Sequence, residues 1–204
     1  RDRIGEVLRT RGDKSGALQE FRSALALREA IVATDPTNPR RQRDLSLSHD
    51  RVGDMALAQG DTDAALASYR ASLAIREALA TGDPNSASRQ RDVSFSHSSL
   101  GNVLFTLDDK RGALEHFRKA LAIFESLAAK DPANIDWKRS IAVMENKVGD
   151  VLLAQGETAE ALAQYRASLE LVDVLRAKDP TNTDWQADAA TGYEKVGDAL
   201  FARH

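Results

Sequence analysis

A strict 48-residue period constrains this 204-residue chain more than any other feature. Glycines recur in one register and prolines in another, with no insertion between them: Gly5, Gly53, Gly101, Gly149 and Gly197, and Pro36, Pro84, Pro132 and Pro180. A fixed period of roughly 20 to 50 residues indicates stacked supersecondary units, each burying its apolar face against its neighbours. The sequence therefore predicts a repeat array.

Each period contains two segments in which apolar residues follow helical spacing. We expect nine helices and no strand, at about 1–11, 15–34, 40–59, 62–81, 88–107, 110–130, 136–155, 158–178 and 184–203. Gly12 and Gly60 suit the turns, because glycine takes the left-handed conformation freely. Asp108 replaces the turn glycine in the third repeat, so we expect this turn to be the most strained of the turns between paired helices. Thr62 and Thr158 are the expected N-caps of their helices.

The period also sets the domain organisation. We expect one repeat domain over 1–204, with units at about 1–38, 39–86, 87–134 and 135–182 and a partial unit at 183–204. The chain opens at Arg1, without a methionine and inside a repeat, so we expect a fragment of a longer protein.

Composition excludes several classes of function. The chain is 42% apolar and 29% charged, and its net charge of −3 favours neither a nucleic acid nor a membrane as partner. It has no cysteine, which excludes a disulfide framework or a thiolate metal site. No apolar segment reaches membrane-spanning length and no signal peptide is visible, so we expect a cytoplasmic protein.

Repeat-equivalent positions predict the interior. Each repeat glycine lies within a first helix, where glycine costs roughly 1 kcal/mol relative to alanine. We expect the second helix to cross there, with small residues facing the glycines so that two backbones approach closely. The alanines are Ala17, Ala65, Ala113 and Ala161; the aromatic residues one turn on are Phe21, Tyr69, Phe117 and Tyr165.

This spacing resembles the tetratricopeptide repeat (TPR), W-x2-L-G-x2-Y, then A-x3-F, then P. Here it reads His49-x2-Val52-Gly53-x2-Ala56, then Ala65-x3-Tyr69, then Pro84, and the resemblance covers the whole chain. The tryptophan column departs from the family, holding His49, His97, Glu145 and Tyr193. The period is also 48 residues and not 34, which lengthens each helix by about two turns.

The resemblance implies an all-α fold, a right-handed α-solenoid of antiparallel helix pairs whose first helices line a concave groove. Such a solenoid is similar to repeat arrays found in large bacterial multidomain proteins. One function left open is a scaffold that binds a peptide or partner segment in this groove. The alternative is a structural spacer or self-assembly module, stacking head to tail through Leu200 and Phe201 at one end and Leu18, Phe21 and Leu25 near the other.

Catalytic, cofactor and metal motifs are absent from the sequence, so we expect no enzyme. His49 and His97 stand one repeat apart, but their column continues with Glu145 and Tyr193, which favours partly buried side chains over metal ligands. Two tryptophans, Trp137 and Trp185, are expected to pack over the preceding helix pair. Two further groups are interpreted as helix surface: the serines Ser46, Ser48, Ser94, Ser96, Ser98 and Ser99, and the solvated arginines Arg22, Arg70, Arg118 and Arg166.

The candidate partner-binding residues lie on the first helices. The polar ones are Asp50, Asp54, Ser98, Asn102, Asn146, Asp150, Glu194 and Asp198; the apolar ones are Leu57, Phe105 and Leu153, with Phe201 beyond them. They would suit a protein segment that carries basic and aliphatic residues. In the alternative interpretation each acid pairs with a base three residues earlier in its own helix (Arg3, Arg51, Lys147 and Lys195), and only the apolar residues remain as candidates.

Overall fold

The computed structural model describes residues 1–203, which form nine α-helices and no strand. The helices are α1 (Asp2–Thr10), α2 (Lys14–Thr34), α3 (Pro39–Ala58), α4 (Thr62–Gly82), α5 (Ala87–Thr106), α6 (Lys110–Lys130), α7 (Ile135–Ala154), α8 (Thr158–Lys178) and α9 (Thr183–Phe201). Every predicted helix is present, with ends within two residues of the expected positions. None of the helices in this range has the length and apolar character needed to cross a bilayer.

The chain divides into two compact units, Arg1–Val103 and Leu104–His204. In the first unit, α2 packs between α1 and α3, α3 packs against α4, and side chains of α4 reach α5. In the second unit, α7 packs against α6 and α8, and α9 packs against α8 and also contacts α7. Each unit is therefore a layer of consecutive helices joined by short turns, which is the packing that the period predicts.

Short polar side chains in the turns start most helices. Second helices begin after an aspartate whose carboxylate accepts a backbone N–H three residues on (Asp13, Asp61 and Asp109), and first helices begin after an asparagine (Asn38, Asn134 and Asn182). The prediction that Thr62 and Thr158 are N-caps is wrong, because both are already helical. Asp61 is the cap of α4. Glu157 precedes α8 without a side-chain cap bond, as expected for a residue outside the usual capping set.

The turns between paired helices need a left-handed residue. Gly12, Gly60 and Gly156 take φ values of 83°, 81° and 85° there. Asp108 takes the same place with φ 61°, and among the described residues it is the only non-glycine residue with positive φ. The prediction of a strained third turn is confirmed, because a Cβ in this conformation crowds the following carbonyl.

Three repeat glycines, Gly5, Gly53 and Gly149, lie against aromatic rings, which are the nearest atoms to an added side chain; the predicted contact with the alanines stays a prediction. An added Cβ would come within 2.9 Å or less of a ring atom in three pairs: Gly5 with Phe21 (2.6 Å), Gly53 with Tyr69 (2.9 Å) and Gly149 with Tyr165 (2.5 Å). The rings are at most 3% exposed, so they occupy the space that a side chain would take. Glycine is needed at these positions because a buried ring packs directly on it.

Exposed apolar residues near the ends differ from the prediction. Leu18 and Phe21 are buried, 7% and 2% exposed, because they pack in a cluster with Val52 and Met55. They cannot supply a stacking surface. On α1 the exposed large hydrophobic side chains are Ile4 and Val7; on α9 they are Tyr193, Leu200 and Phe201.

Two interpretations of the sequence are confirmed. The Trp137 ring lies 6.2 Å from the ring of Phe124 on α6, so it packs against the preceding helix pair as predicted, whereas the same prediction for Trp185 stays a prediction. The four repeat arginines of the second helices, Arg22, Arg70, Arg118 and Arg166, are exposed.

Gly149→Ala should destabilise the protein by about 1–3 kcal/mol, because the new methyl overlaps the buried Tyr165 ring and the ring has no free space to move into. Gly149→Leu should cost more. Gly197→Ala is the matched control: its Cβ meets nothing within 4 Å, so the variant should gain up to about 1 kcal/mol of helix propensity. Urea denaturation measures all three, and equal stability of the two alanine variants would contradict the ring-on-glycine contact.

Asp108→Gly should stabilise the protein by about 1 kcal/mol, because glycine removes the left-handed strain of this turn. Asp109→Ala, one residue later, removes the side chain that caps α6 and should cost about 1 kcal/mol. Opposite shifts of the two thermal midpoints are expected. A midpoint that Asp108→Gly leaves unchanged would show that the turn is not strained.

Candidate functional site: the first-helix faces

We call the groove face the side of the first helices that carries the predicted partner-binding residues: α1, α3 and most of α5 in the first unit, and the end of α5, α7 and α9 in the second. In the first unit Asp50, Leu57, Ser98 and Asn102 are half-buried and Asp54 is exposed. In the second unit Phe105, Asn146, Asp150 and Leu153 are half-buried, and Glu194 and Asp198 are exposed.

Most ion pairs of this face join different helices, although Glu6 also pairs with Arg9 of its own helix at 2.8 Å. Arg51 on α3 reaches Asp2 at 2.8 Å and Glu6 at 3.9 Å, both on α1. Lys195 on α9 pairs in the same way with Asp150 on α7. The prediction that each acid pairs with the base three residues earlier in its own helix is therefore wrong. Long helical side chains lean toward the helix N-terminus, so such a base points away from that acid.

The same cations cover the aromatic rings. The Arg51 guanidinium lies 5.9 Å from the centroid of Phe21, and the Lys195 ammonium lies 5.5 Å from that of Tyr165. The Tyr165 hydroxyl donates to Asp150 at 2.9 Å. Burial and this carboxylate raise the pKa of Tyr165. Asp150 is thus held from two sides and has little charge left to offer a ligand.

Asp54 differs from Asp150 because no ion-pair partner lies near its carboxylate among residues 1–203. This carboxylate accepts a hydrogen bond from the Tyr69 hydroxyl at 2.6 Å, and partial desolvation raises its pKa. Arg51 and Lys195 each pair with an acid of the preceding first helix. The equivalent residue in the helix after Asp54 is Ser99, which carries no charge. The side chain is also exposed, unlike that of Asp50.

Two arginines on the second helices, the buried Arg76 and the half-buried Arg28, join helices of the first unit, and they were missed in the sequence. Arg76 on α4 is 6% exposed; it pairs with Asp50 and donates to Ser96 Oγ at 2.7 Å and to the Asp92 carbonyl at 3.2 Å. Arg28 makes the same contacts one repeat earlier, with Asp2 and Ser48, and it lowers the pKa of Asp2. An aspartate, an arginine and a serine recur with the same spacing in the first two repeats, and this pattern could have revealed the network in the sequence.

The serine group is correspondingly not helix surface. Ser46, Ser48, Ser94 and Ser96 are at most 1% exposed. Ser46 and Ser94 donate to carbonyls of their own helices at 2.8 Å, and the other two accept from these two arginines. The earlier interpretation is wrong because a small hydroxyl satisfied in this way is readily buried.

In the second unit the position of these two arginines holds Phe124 and Val172 instead. With Val172 in place of Arg76 and Asn146 in place of Asp50, a cleft of about 240 Å³ opens between α7 and α9. Its polar lining is Arg139, Asn146, Lys147, Asp150, Asp188, Thr191 and Lys195. The Asn146 Oδ1 atom is buried without a hydrogen-bond partner. Of the predicted residues, the structure brings Asn146 and Asp150 together in this cleft.

A cleft of about 350 Å³ in the first unit has a different character. It lies between the N-terminal ends of α3 and α5, with α4 beneath, and it is lined by Pro39, Arg40, Arg43, Arg76, Leu79, Ser88, Arg89 and Asp92. None of these residues was predicted as a binding residue. Arginines at helix starts, where acids are favoured by the helix dipole, were the available signal.

The described residues contain no group of three or more side chains suited to hold a metal ion. Burial lowers the pKa of His49. Glu145 on α7 is different: its Oε2 atom is buried without a partner, and burial, with Glu125 and Glu170 nearby, raises its pKa to about 7.

Glu145 should make the protein more stable in mild acid. Its folded-state pKa lies above the unfolded value of 4.5, so its contribution is fully present below about pH 4.5 and is lost as pH rises through about 7. At pH 8, Glu145→Gln should therefore gain about 1–2 kcal/mol, and at pH 4.5 it should gain almost nothing. Denaturation at both pH values measures the difference, with the exposed Glu77→Gln as control. An equal gain at both values would contradict the raised pKa.

Comparison with known proteins supports the repeat assignment. The tetratricopeptide repeat family model matches residues 98–132. BtubC from P. vanneervenii is 18% identical with a TM-score of 0.66, covering 91% of this chain and 65% of that one. A putative kinesin light chain of Podosopora anserina with nearly identical TPR-like repeats is 15% identical with a TM-score of 0.65, covering 99% and 88%. RapI is 15% identical with a TM-score of 0.65, covering 97% and 49%.

This chain thus spans about two thirds of the BtubC chain and half of the RapI chain. No curated protein sequence matches it significantly. At these identities the structural likeness concerns the fold, an all-α array of helix pairs. With the family match over residues 98–132 and the ring-on-glycine packing at Gly5, Gly53 and Gly149, the chain is similar in fold to TPR-like repeat proteins.

Proposed function

We propose that this protein is a protein–protein interaction scaffold whose groove face holds a segment of a partner. The observation that carries the proposal is the cleft between α7 and α9, where cations, carboxylates and a buried amide converge around Val143 and Val172. Binding sites typically combine apolar walls with a few convergent polar groups. The unpartnered Asn146 Oδ1 suits the backbone N–H of an extended peptide, since a buried acceptor without a donor costs about 1–3 kcal/mol.

An aliphatic residue of a partner segment would contact the half-buried Leu57 in the first unit. In the second unit the half-buried Phe105 and Leu153 offer the same kind of contact. A basic residue in the segment would have three exposed acids available: Asp54, Glu194 and Asp198. Asp50 and Asp150 are less suited to this role, because Arg76 and Lys195 already neutralise them. A basic segment is therefore proposed only at the exposed acids.

Selection of an unbiased displayed peptide library against the full chain tests the proposal. Enriched peptides should bind Asn146→Leu at least about tenfold more weakly, because leucine keeps the volume but removes the amide. The variant should fold at least as stably, since an unsatisfied buried group is lost. Arg166→Gln, exposed on α8, should bind within about twofold of the parent.

Fluorescence anisotropy gives these affinities, and Asp54→Asn tests basic recognition separately. Basic peptides among those enriched should lose affinity for this variant, and the loss should shrink at high salt. Failure to enrich any peptide, or affinities that Asn146→Leu leaves unchanged, would contradict the groove proposal.

The alternative, self-assembly, is favoured by one observation: Phe201 on α9 is 86% exposed. A contact between unlike ends would give open chains or rings and not a two-fold dimer. Sedimentation over a hundredfold concentration range decides this point in the same protein sample. Association that Phe201→Ser abolishes, without peptide enrichment, would support assembly over peptide binding.

A further inference from the structure

We propose that the arginine-lined cleft of the first unit binds the carboxylate of an acidic residue in a partner protein segment. This inference rests on the proposed scaffold function and names the partner chemistry at one site. It differs from the basic partner that the sequence pattern suggests, and it involves other residues.

The cleft has more positive charge than its own acid neutralises. Four arginines line it, Arg40, Arg43, Arg76 and Arg89, against the single carboxylate of Asp92. The guanidinium group is a planar fork of N–H donors that matches the geometry of a carboxylate. The lining alone therefore favours an anion over a cation or a neutral ligand.

Two of the arginines are committed to structure. Arg43 donates from Nε to Asp92 at 2.9 Å. Arg76 pairs with Asp50 and donates to Ser96, although its Nε is buried without a hydrogen-bond partner. These two charges are compensated within the protein and form the floor of the cleft.

The other two arginines are available to a ligand. Arg40 is exposed and has no ion-pair partner within the part of the chain that the structure describes. Arg89 gives one guanidinium nitrogen to the Leu79 carbonyl at 2.7 Å, and its distance to Asp83, 4.0 Å, is at the limit of an ion pair. Two positive charges at the mouth of the cleft are thus left largely uncompensated.

The helix starts add to this imbalance. Neither α3 nor α5 has an acidic residue in its first turn, where the helix dipole favours negative charge. The second unit has Asp136 and Asp184 at the positions of Arg40 and Ser88. An anion held between α3 and α5 would supply in the first unit the negative charge that the second unit carries in its own sequence.

A carboxylate on a protein segment fits better than a nucleic acid. Two arginines that line one cleft, Arg40 and Arg89, suit a single side-chain anion, whereas a nucleic acid needs a basic stripe and an excess of positive charge. The net charge of the chain is −3. Pro39 and Leu79 give the cleft apolar walls, which suit the methylene groups of a glutamate.

The test uses a fluorescein-labelled peptide of repeating Glu-Leu-Gly with its Gln, Lys and phosphoserine counterparts, titrated into the full chain at low salt. The Glu peptide should bind at least about tenfold more tightly than the Gln and Lys peptides. Arg40→Gln with Arg89→Gln should lose about tenfold in affinity for it. Arg22→Gln with Arg70→Gln makes the same charge change on exposed faces of α2 and α4, and it should stay within twofold.

If both double variants lost the same affinity for the Glu peptide, binding would depend on the overall charge of the protein and not on this cleft. That result would overturn the inference. Equal binding of the Gln or Lys peptide would do the same. A phosphoserine peptide that binds more than about tenfold more tightly through the same arginines would make this a phosphate site instead. If displayed peptides bind through Asn146 while the Glu peptide does not bind, this inference fails and the scaffold function stands.

Discussion

The contact between a second-helix aromatic ring and a first-helix glycine is the constraint on which the remaining structure depends. It fixes where the two helices cross, since the ring fills the space that any side chain on the glycine would need. It also places the tyrosine hydroxyl beside the acid that follows the glycine, as in Tyr165 and Asp150. A cation of the next first helix then covers the same ring. Core packing and groove charge are therefore set by one contact.

The two units use this framework with different interiors. In the first, Arg76 is buried with Asp50 and Ser96, an arrangement that stabilises little by itself but is costly to break, because it would leave a buried charge unpaired. In the second, Val172 stands at the equivalent position and needs no partner. The smaller apolar side chain leaves space between α7 and α9, so a change in core chemistry creates the cleft of the groove face.

Charge on the groove face cannot be counted from its acids alone. Asp50 and Asp150 resemble binding residues in the sequence, but each is held by a cation from another helix. The uncompensated groups are elsewhere: the exposed Asp54, the buried amide of Asn146, and Arg40 and Arg89 beside the first-unit cleft. A partner would meet these groups, and they differ between the two units even though the helices repeat.

The sequence by itself determined the helices, their ends and the strain at Asp108, because helical spacing and turn chemistry act over a few neighbouring residues. Periodicity also determined that the helices stack as repeats. Only the tertiary structure decided which side chains meet. Ring against glycine, Arg51 against Asp2 and Arg76 against Asp50 join residues on different helices. Which residues meet depends on the direction in which each side chain extends across the interface between two helices. A pattern along one helix does not contain that information.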